Sequence, residues 1–159
     1  MKMKDDKGFS LVEMLIVVAV IGVLLSIVSF SWQRYTNNTN LRNAARDVVS
    51  DFQNCKAKAV SENRNYKITF TTGTDSSYTI SASANGPHDA FIATKLPTAH
   101  GSGLQFTSAA FFPAPTNVIT FYTRGTSSNG TVVMTNSRGS TATIKVNATG
   151  KAYVQFAMQ

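Results

Sequence analysis

The chain has 159 residues, 43% hydrophobic and 14% charged, which fits one domain of ordinary size and does not demand disorder. Lys and Arg number 15 against 8 Asp and Glu, a formal charge of +7 with a pI near 9.8, which permits attraction to nucleic acid, anionic lipid or acidic protein without selecting among them. A lone cysteine, Cys55, excludes an intramolecular disulfide, so packing must hold the fold whatever the redox compartment.

Residues 9–30 contain no ionisable group except Glu13. As a helix those 22 residues would extend about 33 Å, enough to cross the hydrocarbon of a bilayer. Lys2, Lys4 and Lys7 precede the run and Arg34 is the close basic residue after it, a bias that keeps the N-terminus cytoplasmic and sends the rest across. A secretory signal cut at Ser29-Phe30-Ser31 would release a β-domain beginning at Trp32 that binds a ligand through its loops. A plain membrane anchor is the second reading. Both leave Glu13 without a purpose where an ionised group costs a few kcal/mol.

A third reading rests on Lys7, Gly8, Phe9, Ser10, Leu11, Val12 and Glu13. These residues resemble the class III signal of type IV pilins and of the pseudopilins of type II secretion. The resemblance implies that a prepilin peptidase and methyltransferase of the inner membrane cuts after Gly8 and methylates Phe9. Glu13 then becomes the fifth residue of the mature chain, where the family has its glutamate, and Gly22 falls where these helices often carry a glycine. The implied role of Glu13 is to compensate the new α-amino group, on its own subunit or a neighbour. In a low dielectric such a pair selects register more than it adds net stability.

Beyond Trp32 polarity rises. Leu41, Ala45, Val48, Phe52, Cys55 and Ala59 recur at spacings of four and three, an apolar helical stripe over residues 41–62, with Arg42, Arg46, Asp47, Asp51, Lys56 and Lys58 read as off it. Cys55 on that stripe is a small core residue. The polar run Thr36-Asn37-Asn38-Thr39-Asn40 has poor helix propensity and is expected to kink or melt. Phe30, where many pilins have proline, makes a bend there less expected.

From Tyr66 the period becomes two, predicting strands at 66–71, 78–83, 91–95, 118–123, 131–135, 141–147 and 151–156, separated by turn residues such as Asn129-Gly130, Arg138-Gly139 and Thr149-Gly150. Residues 97–117, rich in Gly, Ala and Pro, have no clear assignment. The expected class is α+β: a long N-terminal helix, transmembrane in its first half and amphipathic in its second, packed on an antiparallel β head. The boundaries are a leader at 1–8, a filament-core helix at 9–30, an amphipathic helix at 31–64 and the head at 65–159. Segments 41–70, 119–135 and 141–154 resemble the minor pilins of the GspH/FimT family.

Enzyme chemistry is not apparent. His88 and His100 lie twelve residues apart in loops without Cys or Glu at metal-ligand spacing and read as surface histidines. There is no phosphate-binding loop and no nucleophile elbow, so no cofactor or metal is expected and ATP hydrolysis must belong to a partner. From Arg34 onward there are 12 Lys and Arg against 5 Asp and Glu. A solvated surface explains this without a ligand. Some FimT-like proteins bind DNA through a Gly-Arg-x-Arg motif, but the matching place here reads Gly150-Lys151-Ala152-Tyr153. A phosphate-binding patch of Arg124, Arg138, Lys145 and Lys151 would require folding to bring the four to one face.

The resemblance therefore implies a minor pseudopilin of a type II secretion system, with a minor pilin of a type IV pilus, active in pilus assembly or DNA uptake, as the alternative. Its implied partners are the prepilin peptidase, other major and minor pseudopilins or pilins, and an inner-membrane assembly platform driven by a cytoplasmic ATPase. The implied place is the bacterial inner membrane, with the head periplasmic, and then the filament.

Overall fold

The computed structural model describes residues 9–83, 90–113 and 116–159, with residues 27–31 described in their backbone alone. Helix α1 (Leu11–Ser61) opens the chain, which divides into two compact units, Met1–Thr36 and Asn37–Gln159.

In the first unit apolar side chains project all around α1: Leu11, Val12, Leu15, Ile16, Val18, Leu24 and Leu25 are all exposed. A helix apolar on every side has no stripe to bury against one partner and calls for an apolar environment all round. Among the described residues no helix is long and apolar enough to cross a membrane. The run read from the sequence continues to Phe30, and its last side chains fall within residues 27–31.

The melted turn expected as one outcome at residues 36–40 does not occur: these residues are helical. Thr36 Oγ1 donates back to the Trp32 carbonyl at 3.0 Å. Asn38 Oδ1 accepts from Asn136 Nδ2 at 3.1 Å and from Ser140 Oγ at 2.8 Å, while its Nδ2 donates to the Gln159 carbonyl at 3.3 Å. Asn disfavours helix because its amide competes for the local backbone. Here that amide is engaged by distant residues, and tertiary bonding overrides propensity. The helix ends at Ser61, and two residues on Asn63 has a φ of 50°, the left-handed conformation that stops a helix and that Asn tolerates.

In the second unit eight strands form two antiparallel sheets. Strands β1 (Tyr66–Thr71), β2 (Ser77–Ala82), β3 (Ala90–Lys95) and β5 (Val118–Phe121) lie in the order β3-β2-β1-β5. Strands β4 (Gln105–Phe111), β6 (Gly130–Thr135), β7 (Thr141–Val146) and β8 (Ala152–Ala157) lie in the order β4-β6-β7-β8. A short 3-10 turn, Pro97–His100, precedes β4. The seven strands read from alternation are present, and β4 was missed. Phe106 and Phe111 are both fully buried although they are five apart, an odd spacing that strict alternation would put on opposite faces. The ladder to β6 slips between Phe106 and Ser108, and this bulge returns Phe111 to the inward phase.

Leu41, Ala44, Ala45, Val48, Phe52, Cys55 and Ala59 of α1 pack in one core with the inward residues of both sheets. Phe70 is central, with Phe52, Tyr78, Phe106 and Phe111 at ring-centroid distances of 6.1, 5.7, 5.1 and 5.9 Å. The Cys55 thiol is pushed up to about 12, chiefly by burial and then by neighbouring Asp51, as suits a core residue.

Candidate functional site

Gly8 lies outside the described residues. Phe9 is 74% exposed, and Glu13 sits in the first turn of α1, exposed, where a carboxylate complements the positive end of the helix. In this segment each Val, Leu or Ile that leaves water for an apolar environment contributes about 1.5–3 kcal/mol.

The four basic residues do not gather. Arg138 is in the β6–β7 hairpin, and Lys151 is in the β7–β8 hairpin at the other end of β7, about 17 Å of strand away. Lys145 is half-buried near the Lys151 end, opposite Thr131 and Tyr153 in the two neighbouring ladders. Arg124 also lies toward that end. Its loop is tied to the β7–β8 hairpin by Ser127, whose backbone N donates to the Ala148 carbonyl at 3.0 Å and whose Oγ donates to the Asn147 carbonyl at 3.0 Å.

A residue that sequence reasoning left on the solvent face completes this end. Lys56 of α1 donates through Nζ to the Thr149 carbonyl at 2.8 Å. The hairpin is shaped locally by Asn147, whose Oδ1 accepts from the Lys151 backbone N at 2.9 Å and from Thr149 Oγ1 at 2.7 Å. Gly150 has a φ of +71°, and a Cβ there would stand 2.9 Å from Lys56 Cδ and 3.2 Å from the Gly125 carbonyl. Only glycine lets helix, loop and hairpin approach this closely. Beside them runs an open groove of about 810 Å³, lined by Gln53, Lys56, Ala57 and Val60 of α1 and by Thr149 to Ala152.

Asp51, read as off the helical stripe, is buried at 7% exposure. Tyr78 donates to its Oδ2 at 2.5 Å and Lys95 Nζ to its Oδ1 at 2.9 Å. Burial, and then the bond to Asp51, raise the Tyr78 phenol above its ordinary value. His100, expected as a plain surface histidine, is paired: its Nε2 lies 2.8 Å from Asp47 Oδ2. His88 lies outside the described residues. Among the described residues no group of three His, Cys, Asp or Glu could hold a metal ion.

A helix that is apolar all round near its start and, from Leu41, forms the spine of an antiparallel β head defines a pilin-like protein. Residues 44–150 match the family described as type II transport protein GspH, and residues 3–29 match the prokaryotic N-terminal methylation motif. The chain belongs to the GspH family.

Among solved structures, the minor pseudopilin EpsH of the Vibrio cholerae type 2 secretion system superposes with a TM-score of 0.60 over 74% of this chain and 97% of its own, at 10% identity. The type IV minor pilin FimU of Pseudomonas aeruginosa gives 0.54 over 76% and 92%, at 18% identity. A Pseudomonas aeruginosa fimbrial protein is 34% identical over 82 residues, 45% of this chain and 53% of its own length. The fimbrial protein EcpC of Eikenella corrodens is 29% identical over 106 residues, 63% of this chain and 69% of its own. The chain thus spans about half the length of the Pseudomonas relative.

Proposed function

We propose that the chain is a minor pseudopilin of a type II secretion system, a structural subunit of a short periplasmic pseudopilus. The observation that carries this reading is the conjunction, in one chain, of the N-terminal methylation motif at residues 3–29 and the GspH match at residues 44–150. On this reading residues 9–30 anchor the chain in the inner membrane, with the N-terminus cytoplasmic and the head periplasmic. The prepilin peptidase cuts after Gly8 and methylates Phe9. Glu13 meets the α-amino group of an adjoining Phe9 as the subunit enters the filament, and the apolar surface of α1 leaves lipid for neighbouring helices. The chain itself performs no catalysis; force comes from the ATPase of the assembly platform.

The similarity to fimbrial proteins favours a second reading, a minor pilin of a type IV pilus. Comparison of culture-supernatant proteins between the parent strain and a strain lacking this gene separates the two. Loss of a defined set of exported proteins, restored on complementation, supports the pseudopilin. Unchanged secretion with altered piliation or DNA uptake supports the pilus subunit.

A further inference from the structure

The groove beside the β7–β8 hairpin combines an apolar floor with a basic rim. Ala57 and Val60 are exposed on α1, Val60 at 52%, and Ala152 is half-buried across from them. Lys56 and Lys151 line the groove, and Arg124 precedes Gly125, whose Cβ position is 3.5 Å from Val60 Cγ2. At about 810 Å³ the space falls in the range of sites that take whole side chains. Positions 53, 56, 57 and 60 recur at helical spacing, so α1 has this second face beside the stripe it buries in the core.

We infer that this groove is the docking site for an acidic, amphipathic segment of a different subunit of the filament, an inference that rests on the filament reading above. Charge decides the occupant. Among the described residues neither Arg124 nor Lys151 is in an ion pair, whereas Asp51 and Glu62 are each paired with a cation of their own chain and Asp47 lies 2.8 Å from His100 Nε2. A second copy brings its own excess of positive charge, 12 Lys and Arg against 5 Asp and Glu from Arg34 onward. Like charges across an interface cost several kcal/mol, so the rim rejects a copy of this chain and accepts a carboxylate-bearing partner. Nucleic acid fits less well: the two lysines that line the groove, with Arg124 in the adjoining loop, supply few phosphate contacts, and among the described residues no aromatic side chain lines it for stacking.

The test uses the full chain in its native host with Gln53→p-benzoylphenylalanine at the groove edge. The cross-linked peptide is identified by mass spectrometry and the N-terminus of the same sample is sequenced. The expected adduct is a segment of another subunit bearing the class III signal, with at least two Asp or Glu flanking apolar residues. The double change Arg124→Glu with Lys151→Glu should lower its yield about tenfold, while Arg138→Glu at the far end leaves it unchanged. Ala57→Trp, which fills the floor without altering charge, should abolish it. A peptide from a second copy, a peptide from a protein without the signal, a nucleotide adduct or no adduct on a correctly cut chain overturns the groove assignment alone. A chain not cut after Gly8 overturns the filament reading and the inference with it.

Discussion

Tyr78 and Asp51 are joined by a 2.5 Å hydrogen bond that links strand β2 to the helix inside the core, with Lys95 of β3 on the same carboxylate. Asp51→Ala removes the acceptor and leaves the Tyr78 hydroxyl unsatisfied. The expected loss is about 1–3 kcal/mol in denaturant unfolding of the full chain in detergent, and Tyr78→Phe in the Asp51→Ala background should recover part of it.

Cys55 should be inert while the chain is folded. Its thiol is 3% exposed and its pKa of about 12 leaves almost no thiolate at neutral pH. Iodoacetamide is expected to label it at the rate of global unfolding and rapidly in denaturant. Quick labelling under native conditions would show that the helix and strand β2 separate there.

Glu62 just past the end of α1 accepts from the Tyr66 hydroxyl at 2.7 Å, and from Arg64 Nε at 2.7 Å. The Tyr66 bond foremost, and then Arg64, hold its carboxyl below the ordinary value of 4.5. A depressed carboxylate contributes stability that is present above the unfolded value and is lost as pH falls through the folded one. The destabilisation caused by Tyr66→Phe should therefore be larger at pH 7 than well below 4.5, in paired thermal melts across that window. An equal effect at both ends would assign Tyr66 to packing alone.

Gly8 and Glu13 should separate processing from assembly. Gly8→Leu is expected to leave the uncut chain in the membrane, read as a mass longer by the leader. Glu13→Ala is expected to be cut and methylated normally yet to be absent from sheared filaments. Normal incorporation of Glu13→Ala would remove its aligning role.

The core around Phe70 should be the most sensitive point of the head, because four aromatic rings lean on it. Phe70→Ala is expected to cost about 3–5 kcal/mol in the same unfolding measurement.

Local pattern carried most of the architecture. Tyr66, Ile68 and Phe70 alternate because β1 presents one face to the core, and Leu41 to Ala59 repeat at helical spacing because α1 buries one stripe. The N-terminal methylation motif is legible for a similar reason, since it is a contiguous local string. The β4 strand escaped because its bulge breaks the alternation that would have announced it. Asp51 escaped because a polar residue on a helix looks solvated until its partners, Tyr78 and Lys95, arrive from distant strands, and the helicity of Asn38 escaped because its partners Asn136 and Ser140 stand in the distant β6–β7 hairpin.

The sequence by itself determined the apolar stripe of the helix over residues 41–62, the alternating strands, the turns and the signal, all of which depend on residues within a few positions of one another. Only tertiary structure decided which cations share an end of the sheet. Lys56 and Lys151 are far apart along the chain but line one groove, while Arg138 and Lys151, much nearer in sequence, sit at opposite ends of β7. A strand carries its two hairpins to opposite ends, whereas packing of a helix against a sheet joins residues without regard to their separation in sequence.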